Sequence, residues 1–199
     1  GAIDGLQRAS NQSRRVFESW RGHRNDHRLP RLSEVFPGDL GDLVPSMMVV
    51  DVLDEPRDYR YRIVGALAAE ARRDDPTGKT VREIYSGEVL EFCLENYNFA
   101  RDSLWGIIDF SIEASANQLY LELETLFLPL SGEDRGDGRG DGRRVDQILV
   151  YNHFVVRAGD RRRKTRGDFP PRVSIGPFAG FRGSSLRLHR ALALRHEGL

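Results

Sequence analysis

The chain has 199 residues, 30 of them lysine or arginine and 30 aspartate or glutamate, so its formal net charge is zero. That length suits one domain with extensions and is enough to bury a core; the charge balance gives no electrostatic signal for nucleic acid or for a membrane surface. The single cysteine, Cys93, excludes an intrachain disulfide and a four-cysteine zinc site. No run of 18 apolar residues is present, the first residues lack the apolar centre of a secretory signal, and a reducing cytoplasm is the expected setting. Lysine occurs only at Lys79 and Lys164, so arginine carries the other 28 basic positions, a bias that fits a GC-rich bacterial genome better than a binding surface.

In chain order, Ser10 to Arg24 places Val16, Phe17 and Trp20 at helical spacing among arginines, which predicts an amphipathic helix with a narrow apolar stripe. Leu29-Pro30 to Pro45 is a connector punctuated by proline and glycine. Strands follow at 46–53 and 58–64. In the second, Tyr59, Tyr61 and Ile63 alternate with Arg60 and Arg62, so period two sets the apolar side chains on one face and the arginines on the other. The charged turn at Asp54 to Asp58 joins the two strands as an antiparallel hairpin. Gly65 ends the second strand, and a short helix over 65–72 begins without a linker. Asp74 to Gly78 is a turn. A longer helix spans 86–101, and 104–114 with 119–130 form a second hairpin turning at 115–118. Residues 131–144 are a glycine, aspartate and arginine loop with no apolar side chain, expected to be solvated. Val145 to Val156 is the last strand. Beyond it come a basic run, Arg161 to Arg166, a segment rich in glycine, proline and phenylalanine, and a final helix capped by Ser184 or Ser185.

Several short motifs invite chemical readings. Gly78-Lys79-Thr80 ends like a phosphate-binding loop, but such a loop needs a glycine five positions earlier, where Arg73 stands, and Pro76 removes an N–H. A turn before a short helix is the simpler reading. His23 and His27 have the spacing of two metal ligands on one helix face; the glutamate of a zinc-protease motif is replaced by Arg24, and no third ligand is near, so solvated histidines are the better reading. Asp134, Asp137 and Asp141 lack the closing glutamate of a calcium loop. Arg162 and Arg166 echo the arginine pair of cyclic-di-GMP-binding domains, without the rest of that motif. His153 is placed either in a cleft or across the sheet. Glu122 and Glu124, on alternating strand positions, are expected to face solvent.

The hairpin that drops straight into small helices, Tyr59 to Gly65 followed by Thr77-Gly78, resembles the opening of a sensory PAS domain of a mainly alphaproteobacterial type. Trp20-Arg21-Gly22, Leu29-Pro30, the Asp51-containing first strand, Leu126 to Leu130 and Val145 to Leu149 extend the resemblance over about residues 15–156. It implies an α+β fold: a five-stranded antiparallel sheet with helices packed on one face, preceded by the amphipathic helix and followed by a C-terminal tail. It also implies a sensory or scaffolding module rather than a catalyst, and names no cofactor. Flavin-photosensing members carry a cysteine in an Asn-Cys-Arg-Phe-Leu-Gln type of motif, which Glu91-Phe92-Cys93-Leu94-Glu95-Asn96 does not match. Haem-binding members place a histidine on the long helix, and residues 83–103 contain none. The insert at 131–144 is longer than the turn usual in the family.

The division that follows is 1–43 for the N-terminal helix and connector, 44–156 for the sensory domain, and 157–199 for the basic linker and tail. Side chains expected to line a cleft between sheet and helices are Tyr61, Ile63, Phe92, Tyr97, Trp105, Leu121, Leu123, Phe127 and Val150. These nine equally well fill a core, and a ligand-free interaction adaptor is the competing reading; a small hydrolase or isomerase on a cone-shaped fold is a third. Expected partners are a small-molecule ligand, a signalling protein, and a second copy bound through the stripe of Val16, Phe17 and Trp20, with nucleic acid and a membrane span not expected.

Overall fold

The computed structural model describes residues 9–25, 28–36, 40–72, 74–114, 119–133, 142–158 and 173–175. Helix α1 (Asn11–His23) is N-capped by Ser10, whose Oγ accepts from the Ser13 amide at 3.1 Å. Helix α2 is the short Leu32–Val35 turn, and a 3₁₀ turn at Val44–Ser46 leads into the sheet. Strands β1 (Met47–Asp54) and β2 (Arg57–Val64) form the first hairpin. Helices α3 (Ala66–Arg72), α4 (Val81–Ile84) and α5 (Gly87–Ser103) follow, then strands β3 (Gly106–Ala114), β4 (Leu119–Leu130), β5 (Gln147–Ala158) and β6 (Val173–Ile175). The spatial order is β2-β1-β5-β4-β3-β6, and every pair is antiparallel.

This is the α+β architecture expected from the sequence, with two additions. Strand β6, three residues drawn from the C-terminal tail, pairs along β3. Helices also cover both faces of the sheet rather than one. Alternation along β1 sends Met48 and Val50 to the face under α3–α5, called here the inner face, and Met47 and Val49 to the outer face under α1. Each face has its own apolar core.

The outer core overturns the basis for a dimer through α1. Val16, Phe17 and Trp20 are all buried, packed with Leu126, Leu128, Leu130 and Leu149 of the sheet. The Trp20 indole N–H donates to the Pro129 carbonyl at 2.8 Å. An exposed sheet face of leucines and valines is a larger apolar partner than a second narrow helix stripe, so folding back removes more surface from water. The connector also belongs to this core: Val35, Leu40 and Leu43 are buried.

Glu124 is another correction. It is half-buried on the outer face of β4, where its carboxylate accepts from the Ser10 amide (3.0 and 3.1 Å), Ser10 Oγ (2.8 Å) and Ser13 Oγ (2.7 Å). The strand thereby supplies an anion to the positive end of α1. The Glu122 side chain lies outside the described residues.

The insert is not simply a solvated turn at its ends. Ser131 is buried; its amide donates to the Pro30 carbonyl at 2.9 Å, and the Gly142 carbonyl accepts from the Leu29 amide at 2.7 Å. A Cβ on Gly142 would fall 1.9 Å from Arg28 Cγ, and φ there is +82°, so both space and backbone require glycine. The middle of the insert (134–141), the 115–118 turn, His27, the basic run at 161–166 and the expected final helix lie outside the described residues.

Candidate functional site

The inner face is where aromatic side chains and polar groups converge. Its edge is set by Gly65. The Gly65 amide donates to the Met47 carbonyl at 2.8 Å, and a Cβ would meet the Pro45 carbonyl oxygen at 2.3 Å. Only glycine lets β2 turn there directly into α3, which brings Arg72, the last residue of α3, over β2. Beyond it, Gly78 (φ +83°) closes a turn whose backbone pairs with Tyr61: Gly78 N donates to Tyr61 O at 2.7 Å and Tyr61 N to Lys79 O at 3.0 Å. Thr80 then caps α4 in a reciprocal box with Glu83. The Gly78-Lys79-Thr80 triplet therefore forms a turn and a helix cap, and Lys79 pairs with Asp74 at 3.2 Å.

The aromatic wall is built from three elements. Tyr59 of β2 stacks on Tyr97 of α5 with centroids 4.7 Å apart, and Tyr97 meets Phe127 of β4 edge-on at 5.3 Å. The Tyr59 hydroxyl donates to Asn98 Oδ1 at 2.6 Å, and the Tyr97 hydroxyl lies 3.5 Å from that of Tyr61. Arg72 lies over the Tyr61 ring, its Cζ 5.2 Å from the centroid, and 5.8 Å from that of Tyr85. Its guanidinium donates to the Tyr61 hydroxyl at 3.3 Å and to the Tyr85 hydroxyl. Burial pushes the Tyr59, Tyr61 and Tyr97 phenols above their ordinary range. All three stay neutral at physiological pH. For Arg72, burial works against the charge and the surrounding tyrosines favour it, with a net upward shift.

Next to the aromatic wall is a polar row. Asp109, Thr125 and Asn152 are buried neighbours across β3, β4 and β5, with Thr125 Oγ1 3.1 Å from Asn152 Oδ1. Asn96 of α5 is fully buried, and its side-chain oxygen and nitrogen have no hydrogen-bond partner among the described residues.

Of the nine residues singled out from the sequence, Tyr61, Tyr97, Phe127 and Val150 are buried together in the inner core. Phe92, Trp105 and Leu123 are half-buried. Leu121 pairs with Val156 in the sheet, and its side chain lies outside the described residues. Ile63 is not on the inner face. Pairing steps from Val50↔Tyr61 to Val49↔Ile63, so Arg62 is an extra residue in β2. That bulge rotates Ile63 to the face of Val49 and leaves it 47% exposed. His153 pairs with Glu124 on the outer-face register, away from this wall.

No sequence motif pointed to Arg72, Tyr85 or Asn96. Arg72 sits in a charged stretch that reads as a solvated helix end, and Asn96 sits on a helix whose apolar stripe drew the attention. A separate open cleft of about 530 Å³ lies at the β1–β2 turn, lined by Asp54, Arg57, Arg101, Asp102 and Arg144 among others. Its charges are largely paired with one another: Arg57 with Asp102 at 3.0 Å and Arg101 with Asp54 at 2.7 Å.

A family model described as the PAS domain matches residues 8–140, two thirds of the chain. The chain belongs to the PAS domain family. No curated protein and no solved structure matches it. The PAS match begins before α1 and so takes in the helix that closes the outer face. A PAS domain is a sensory or interaction module. Among the described residues no helix is long and apolar enough to cross a membrane.

Proposed function

We propose that this PAS domain senses a small ligand at the inner face of its sheet and reports the state through α1. What supports this reading is the double use of β4. Phe127 and Thr125 face the inner side, while Glu124 and Leu126, on alternate positions of the same strand, hold α1 on the outer side. A ligand that shifts β4 by a fraction of an ångström changes the seat of α1, and a two-state helix contact turns that into an output for a protein partner. The role is regulatory rather than catalytic, and the single cysteine suits a reducing cytoplasm. Residues 44–156 form the sensing unit, residues 1–43 the output element and residues 157–199 the tail.

The experiment is native mass spectrometry of the purified chain, followed by hydrogen exchange with and without whatever is retained. A retained small molecule whose removal speeds amide exchange in both α1 and β4 is the expected result. A chain that carries nothing from its host, and whose α1 exchange responds to no added small molecule, would falsify the sensing role. The adaptor reading has one observation in its favour: the Tyr59–Tyr97–Phe127 stack fills the centre of the inner face with the chain's own rings. Under that reading only a protein partner alters α1.

A further inference from the structure

We propose that Arg72, with the hydroxyls of Tyr61, Tyr85 and Tyr97, is a receptor for the carboxylate of a small monoanionic ligand. The proposal rests on the ligand-sensing reading and names the chemistry of what is sensed. A guanidinium is permanently charged and offers five N–H donors in a planar fork. Arg72 gives one to each of two phenol hydroxyls, neither of which is a carboxylate. Elsewhere the domain pairs cations with carboxylates: Arg15 with Asp42, Arg28 with Glu34, Arg57 with Asp102, Arg101 with Asp54. Among the described residues no carboxylate forms an ion pair with Arg72. A cation withdrawn from water without a counter-ion is costly, and the two rings beside it offset only part of that cost.

The missing element is an anion. Arg72 is partly exposed along its length, while its guanidinium is held against Tyr61 and Tyr85. A carboxylate matches its planar spacing with two parallel hydrogen bonds, and phenol O–H groups are natural additional donors to the same oxygens. Among the described residues Arg72 is the one cation that donates to these hydroxyls, and a single guanidinium fork balances the single charge of a carboxylate. The aromatic surroundings of Tyr61, Tyr85 and Tyr97 favour a ligand with an apolar or planar body behind the carboxylate.

The test uses the full chain with ¹⁵N-labelled arginine side chains and three probes: benzoate, acetate and isobutyrate. Benzamide serves as the uncharged isostere of benzoate, and methyl phosphate as the competing oxyanion. Titration to roughly 10 mM covers sites of millimolar affinity. At least one carboxylate is expected to move the Arg72 Nε–H signal and raise the melting temperature, while benzamide does neither. Arg72→Gln is expected to weaken that binding by about tenfold or more, the usual weight of a charge-assisted hydrogen bond. Tyr85→Phe, which keeps the ring, is expected to weaken it several-fold and stands in if Arg72→Gln does not fold. The proposal is overturned if none of the three carboxylates moves the signal, if benzamide or methyl phosphate binds as well, or if binding survives in both variants. A molecule retained in native mass spectra while the carboxylates fail leaves the sensing role standing and removes only the anion assignment.

Discussion

Trp20 is the most direct probe of how the two halves of this fold depend on each other. Its side chain is 1% exposed, lies 5.8 Å from the Phe17 ring, and donates to the Pro129 carbonyl across 109 positions of sequence. Trp20→Ala removes a large buried ring and leaves a void between α1 and the leucines of β4. Such truncations cost about 3–5 kcal/mol, which is a large part of the roughly 5–15 kcal/mol that stabilises an ordinary domain. Trp20→Phe keeps most of the apolar volume but removes the N–H that bonds the Pro129 carbonyl, at a cost of about 0.5–1.5 kcal/mol. Trp20→Glu places a carboxylate in that apolar site and is expected to abolish the cooperative fold. Urea melts followed by far-ultraviolet circular dichroism give the ranking Glu worse than Ala worse than Phe, and sedimentation gives the oligomeric state of each. A Trp20→Glu protein that stays folded but changes its mass in sedimentation would refute the reasoning, because the stripe would then be serving a second copy rather than the sheet. An Ala variant losing under about 1 kcal/mol would refute it as well, since that is less than the transfer cost of a buried ring.

Two further predictions follow from β2 and from the connector. Tyr61→Ala is expected to cost about 3–5 kcal/mol, whereas exposed Arg60→Ala costs within about 0.5 kcal/mol; urea melts check both, and a larger loss from Arg60 would show that the strand register is shifted. In the connector, Arg28 hydrogen-bonds Glu34 at 2.7 and 2.8 Å and, through that side-chain bond, holds the Glu34 carboxyl below its usual range. A depressed folded-state value means the stabilisation is present above the unfolded-state value of about 4.3 and is lost as pH falls through the folded-state one. Glu34→Gln is therefore expected to be less stable than wild type at neutral pH and to lose stability less steeply below about pH 4. Parallel acid titrations of the two proteins would contradict this.

Local patterning was enough to set the main elements and their order, though not the Leu32–Val35 turn or the three-residue strand β6. Period-two alternation at Tyr59 to Arg62, helical spacing of Val16, Phe17 and Trp20, and glycine at Gly65 are local signals, and each matches an element within two or three residues of its expected ends. The PAS identity followed from that order. What the sequence left undecided was every choice between distant partners. The stripe of α1 fits another helix or a sheet face equally well by pattern; the apolar outer face of β4, more than 100 residues away, decides it. Alternation alone places Ile63 with Tyr61, but the bulge at Arg62 arises from how β2 registers on β1, and one extra residue reverses every side chain beyond it. Glu124 reads as a solvent carboxylate until α1 lays its N-terminus against β4. Arg72 reads as a solvated helix end until the turn from β2 into α3 sets it over Tyr61. Periodicity reports how a residue is turned relative to its own neighbours. Only the packed chain fixes which surface that direction meets, because burial and hydrogen bonding are settled between segments far apart in sequence.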